Sequence, residues 1–206
     1  MFLYMSSQKF GQDTKFLKDW INQHDNKIFI IPNALDAKDE EKIQENLKDD
    51  IKLLEEIGFY VRIIDLKLYF GKYNELREEL SKYNACCVMG GNVFILRKAM
   101  ELSGFDIFLK DKKSSDNYLY IGYSAGSCVL SDNLEYLKTI DKPITFYNQP
   151  KVNYEGIGFV DYLFIPHYKS NYHKVLLIED LVNKCKNEHI KYKAIKNGEV
   201  VIEQIK

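Results

Sequence analysis

The sequence contains no apolar run approaching the roughly 20 residues a helix needs to cross a bilayer, so no membrane span is expected. No basic segment precedes its short N-terminal apolar stretch in MFLYMSSQKFGQD, which therefore does not read as a secretory signal. Net charge is nearly absent: 29 Lys+Arg stand against 30 Asp+Glu, leaving −1 at pH 7. Without an excess of positive charge, neither nucleic acid nor an anionic membrane is expected as a partner. Cysteine is sparse, at Cys86, Cys87, Cys128 and Cys185, with no C-x-x-C pair and no metal-ligand spacing. Buried, reduced thiols in a cytoplasmic protein are the expectation, and no metal or other cofactor is implied. Arginine is confined to Arg62, Arg77 and Arg97, so few groups offer the planar fork that grips a carboxylate.

What is present is an ordinary globular composition, 46% hydrophobic and 29% charged over 206 residues. That length is enough for one sizeable core, and a single domain over residues 1–206 is expected. The hydrophobic pattern alternates between two periods. Short β-branched and aromatic runs occur at Phe2–Met5, Lys27–Ile31, Phe59–Leu66, Ala85–Met89, Tyr118–Gly122 and Tyr162–Ile165. Between the early runs lie helical patterns, such as Ile43, Leu47, Ile51 and Leu54 in a segment that stops at Gly58. Strand and helix alternating in this way indicate a doubly wound, mostly parallel sheet with helices on both faces. A last helix is expected near Tyr172–Lys186, with strands after it at Ile190–Ile195 and Val200–Ile205 around the turn KNGE, a small C-terminal hairpin.

Ligands of such sheets bind beyond the carboxyl ends of the strands, so the residues immediately after each run are the candidates for chemistry. After Ala85–Met89 come Gly90, Gly91 and Asn92, a turn that brings backbone N–H groups close to a ligand. After Tyr118 comes GYSAG, residues 122–126, a G-x-S-x-G pattern between a strand and a helix. The pattern fits both a nucleophile elbow and an ordinary helix start; in the elbow, the N–H of Ala125 becomes an oxyanion donor. A nucleophilic Ser124 needs a base. His167 comes after the buried run ending in FIP, on the same edge of the sheet as Ser124, whereas His24 and His189 stand in polar surroundings and His173 in a polar loop. Among the acids between Ser124 and His167, Asp141 at the turn DKPI is the preferred orienting group and Glu135 the second. Only about 80 residues lie beyond Ser124, too few for the strands an α/β-hydrolase usually places after its elbow, so a different doubly wound fold is expected.

VMGGNVFILRKAM, YIGYSAGSCVLSDN, DKPI and FIPHY, in this order, resemble the serine peptidases related to dipeptidase E (aspartyl dipeptidase) and cyanophycinase. The resemblance covers about Lys27 to Lys174. It implies a class I glutamine amidotransferase-like, flavodoxin-like fold in which a serine replaces the usual cysteine. It also implies Ser124 as nucleophile, His167 as general base, Asp141 as orienting acid, and the Gly91 and Ala125 amides, with Gly90, as the oxyanion hole. Asn92 and Lys169 are candidates for substrate contact. Val93 stands where the family commonly has Thr or Ser, and Ser127 where Ala is usual. No arginine lies beyond His167 to clamp an acidic side chain. The expected activity is hydrolysis of short peptides through an acyl-enzyme, N-terminal Asp-X among them, by a monomer or homodimer. The alternative is a non-catalytic relative that binds a small molecule or peptide in the same crevice.

Overall fold

The structure, a computed structural model, describes every residue from Met1 to Lys206. Five of the apolar runs form parallel strands: β1 (Phe2–Ser6), β2 (Lys27–Ile31), β3 (Tyr60–Ile63), β4 (Ala85–Val88) and β5 (Leu119–Tyr123). They lie in the order β3-β2-β4-β5-β1. The connections carry α1 (Lys15–Ile21), α2 (Glu40–Ile57), α3 (Tyr73–Leu80), α4 (Val93–Ser103) and α5 (Phe105–Lys112). Next come the single turn α6 (Ala125–Cys128), then β6 (Leu163–Ile165), α7 (Val175–Asn187), β7 (Tyr192–Ala194) and β8 (Val200–Gln204).

The central strands are apolar on both sides because the sheet separates two cores. Neighbouring residues in a strand point to opposite faces, so Cys86 packs into the larger core with Phe29, Val88 and Tyr120, and Cys87 into the smaller with Ile30, Ile121 and Tyr123. α2 covers the smaller core with Ile43, Leu47 and Leu54 and ends where the Gly58 N–H closes on the Leu54 carbonyl at 3.1 Å.

Two elements differ from their sequence patterns. The run Phe59–Leu66 keeps only Tyr60–Ile63 as strand; the Asp65 carboxylate accepts the Lys67 N–H at 3.0 Å and starts a 3₁₀ turn over Leu66–Tyr69. At the C-terminus both expected strands form around a turn closed by Glu199 N–H to the Lys196 carbonyl. They hydrogen-bond to other strands, however, and not to each other: β7 runs parallel to β6, and β8 runs antiparallel to β1. β6 and β1 each offer a free edge, and satisfying both edges draws the two strands apart into different sheets. No helix is long and apolar enough to cross a membrane, and all four cysteines are unpaired and buried.

Candidate active site

Ser124 sits at the carboxyl end of β5 with φ 49° and ψ −115°, outside the usual allowed regions for a residue with a side chain. Neighbouring hydrogen bonds hold this backbone. Ser124 N–H donates to the Ser6 carbonyl at 3.1 Å, and the Ser127 hydroxyl reaches the Ser6 and Gly122 carbonyls at 3.0 and 2.8 Å. Ser127 thus ties the elbow to the ends of β1 and β5. Gly126 is required by close approach: a Cβ there would lie 2.1 Å from the Val88 carbonyl oxygen. The sharp turn projects the Ser124 hydroxyl into a cleft and leaves the Ala125 N–H, first of α6, without an intrahelical partner.

His167 lies directly beyond β6, also with positive φ (63°), and its Nε2 is 3.2 Å from Ser124 Oγ. Pairing of β6 with β7 continues past the strand ends, through Tyr168 N–H to the Ile195 carbonyl at 3.0 Å. It carries the turn after β7 to the imidazole, where Asn197 Oδ1 is 2.7 Å from His167 Nδ1. Burial lowers the His167 pKa from its ordinary value; the hydrogen bond to Asn197 opposes this, and the His173 and Lys174 charges add to the lowering. The imidazole is therefore neutral at neutral pH, as a general base must be.

Asp141 does not meet the histidine, which corrects the expectation that it orients the base. Its Oδ2 accepts the Val93 N–H at 2.9 Å and its Oδ1 lies 3.8 Å from Lys174 Nζ. The carboxylate is held by the start of α4, where the Val93 N–H has no carbonyl acceptor within the helix. Burial raises its pKa, offset by the Val93 amide and Lys174. Glu135 is farther from that role, exposed on a 3₁₀ turn and paired with Lys138 at 2.9 Å. Asn197, neutral and in a polar turn, carries no signature that marks it in the sequence. The available signal is positional: it comes after the strand that runs parallel to the one preceding His167.

Gly91 adopts φ 152°, and a Cβ on it would fall 2.3 Å from the Ala34 carbonyl oxygen, so only glycine fits. Neither Gly90 nor Gly91 gives its N–H to a backbone carbonyl. A Cβ on Gly90 would lie 2.6 Å from the Tyr123 ring and 3.0 Å from Ser124 Cβ, so this loop packs directly against the elbow. Asn92 spends its side chain on structure: Oδ1 caps Phe94 and Ile95 N–H at 2.9 and 3.1 Å, and Nδ2 donates to the Lys142 carbonyl at 2.9 Å. Lys169 is exposed, with its ammonium over the Tyr168 ring, and does not line the cleft. The cleft itself is bounded by Ser124, His167, Asp141, Leu137, Ile140 and Tyr172, among others. Its volume of about 20 Å³ holds one water molecule. The Tyr172 ring stacks on the imidazole of His167, centroids 4.1 Å apart.

A profile of Peptidase family S51 matches residues 2–204. The chain belongs to this family. Among its S51-like relatives is an uncharacterized peptidase of Listeria innocua, 27% identical over 151 residues, covering 73% of this chain and 69% of the relative. Another, from Listeria monocytogenes, is 31% identical over 119 residues, 58% of this chain and 56% of the relative. In architecture, the S51 chain is similar to a crystal structure assigned to peptidase E from Listeria monocytogenes EGD-e. That similarity has a TM-score of 0.78 at 23% identity and covers 100% of this chain and 98% of the other. It is also similar to a peptidase from an acI-B1 actinobacterium, with TM-score 0.68 at 15% identity over 98% and 83% of the two chains. The family makes the chain a peptidase, and the solved structures match its mostly parallel α/β fold.

Proposed function

We propose that the protein is a serine peptidase that cleaves short peptides through a Ser124 acyl-enzyme. The observation that carries this reading is a strained serine whose Oγ lies 3.2 Å from the Nε2 of a buried histidine. His167 takes the Ser124 proton as the oxygen attacks the scissile carbonyl, and the Ala125 and Gly91 amides hold the resulting oxyanion. His167 then gives that proton to the leaving amine; a water molecule, deprotonated by the same imidazole, releases the acyl group. Asn197 accepts the hydrogen on Nδ1 and so keeps Nε2 free to act as base, the part an asparagine plays in papain-like proteases.

The cleft beside Ser124 is bounded by several apolar side chains and the Asp141 carboxylate, which already faces the nearby Lys174 ammonium at 3.8 Å. This favours uncharged side chains at the cleavage site over an N-terminal aspartate. Tyr172 bounds this water-sized space and stacks on the imidazole.

The test is hydrolysis of a panel of dipeptides and tripeptides, Ala-X, Leu-X and Asp-X included, by wild type, Ser124→Ala and His167→Ala, alongside labelling with a fluorophosphonate. Both variants are expected to lose at least about 10³-fold in rate, and Ser124→Ala to lose the label altogether. Wild-type rates in either variant would exclude Ser124 chemistry, and an unlabelled, inactive wild type would favour a binding protein.

A further inference from the structure

An asparagine beside a catalytic histidine poses a problem that a carboxylate does not. Its amide has an accepting end and a donating end, nearly equal in shape. With Oδ1 toward His167, Nδ1 carries the hydrogen and Nε2 faces Ser124 as an acceptor. With the amide reversed, Nδ2 donates to Nδ1, the ring hydrogen moves to Nε2, and the imidazole can no longer take the serine proton. Some neighbour has to choose between the two.

We propose that Ser7 is a positioning residue that makes this choice, fixing the Asn197 amide and through it the ring tautomer of His167. This rests on the reading of Ser124, His167 and Asn197 as one catalytic unit. Ser7 is fully buried just beyond β1. Its Oγ accepts the His167 backbone N–H at 2.7 Å and lies 2.9 Å from Asn197 Oδ1. A serine hydroxyl has one hydrogen to give. With the amide as found, that hydrogen goes to Oδ1, while Nδ2 of the half-buried Asn197 is left to solvent. With the amide reversed, the Ser7 hydrogen would confront an NH₂ group. Its remaining neighbour, His167 Nδ1 at 3.4 Å, is too distant for a good bond. A buried hydroxyl without an acceptor is disfavoured, and the reversed amide is disfavoured with it. The main chain of Asn197 has no slack to compensate, because its N–H is bound to Ser170 Oγ at 2.8 Å.

Replacing Asn197 by aspartate gives both ends of the side chain the same accepting character and removes the choice. Ser7→Ala should therefore be costly in the Asn197 background and cheap in the Asn197→Asp background. For Ser7→Ala alone, kcat is expected to fall about tenfold or more with KM within about twofold, since the unproductive tautomer binds substrate equally well. In the Asn197→Asp background the same change should cost less than about twofold. Nitrogen-15 NMR of labelled histidine gives a readout free of catalysis. His167 should be Nδ1-protonated in the wild type, mixed in Ser7→Ala, and intermediate in Ser7→Cys, whose thiol is a weaker donor.

An equal loss in both backgrounds would overturn the proposal, leaving Ser7 as a support for the left-handed His167 backbone. So would an unchanged tautomer in Ser7→Ala. If the wild type neither hydrolyses peptides nor takes the serine label, the hydrolase reading fails, and the nitrogen-15 measurement still decides the role of Ser7.

Discussion

At His167, two influences on one ring act in opposite directions. Burial disfavours its charged form and lowers the pKa, and the hydrogen bond to Asn197 recovers only part of that. A neutral amide can orient an imidazolium but cannot neutralise it. In the proposed mechanism the base is active when unprotonated, so a lowered pKa extends activity toward acid. The acid limb of kcat/KM, which reports the free enzyme, is therefore expected below the ordinary histidine value of 6.5. Asn197→Asp places a negative charge 2.7 Å from Nδ1, favours the charged ring, and should move that limb to higher pH. A pH–rate profile of the two proteins checks both statements; an upward move is required, and a downward one would mean that the charge does not reach the ring. Ser124 and His167 are legible in the sequence because each stands next to residues with a geometric job: glycines at a close approach, and an apolar strand before the histidine. Asn197 is not, because a neutral amide in a polar turn carries no feature that sets it apart from its neighbours. Asp141 is an acid in the right interval, but its carboxylate serves the start of α4 instead.

Among the elements, the elbow between β5 and α6 is supported from the far side of the sheet. Asp50 on α2 is fully buried, and its carboxylate meets Lys9 Nζ at 2.5 Å and the Tyr123 hydroxyl at 2.5 Å. Desolvation raises the Asp50 pKa, and both partners act against it. Tyr123 immediately precedes Ser124, and its ring packs so closely on Gly90 that a Cβ there would lie 2.6 Å from it. The helix and the strand before the elbow thus share one polar contact, and the glycine loop packs on the same tyrosine ring. Tyr123→Phe removes a hydrogen bond to a buried carboxylate and should cost about 1.5–3 kcal/mol of stability, measured by urea unfolding. A cost within about 0.5 kcal/mol of zero, the usual range of a surface change, would show that the hydroxyl is dispensable. The buried Asp50 has no mark in the sequence: α2 reads as an apolar stripe with charged remaining faces, and periodicity cannot distinguish a solvated acid from one that meets a tyrosine across a sheet.

For the molecule as a whole, the alternation of strands and helices is legible because each apolar run has to be covered on both faces. Partner choice at the C-terminus is not, since the two strands around KNGE satisfy local hairpin chemistry while long-range edges outcompete it. The two cores also make a prediction about the thiols. Burial raises the pKa of Cys86, Cys87 and Cys128, to about 12 for Cys86, so little thiolate is available. The folded protein should react slowly with a disulfide reagent at neutral pH, and all four cysteines should react at once in denaturant. Cys86 and Cys87 face opposite cores, so their release together or separately tells whether the two layers open as one cooperative unit. Rapid labelling of one thiol in the native state would locate a layer that breathes independently.

The contact between Ser7 and Asn197 joins positions 190 residues apart. Closing so long a loop carries an entropic cost that only the surrounding strand pairings offset. Without β8 on β1 and β7 on β6, neither Ser7 nor Asn197 is held against His167, so the proposed tautomer control depends on both pairings. If Ser124 and His167 act as proposed, the chemistry is coupled to the completion of the chain's topology: a half-assembled molecule carries the nucleophile but is not yet armed.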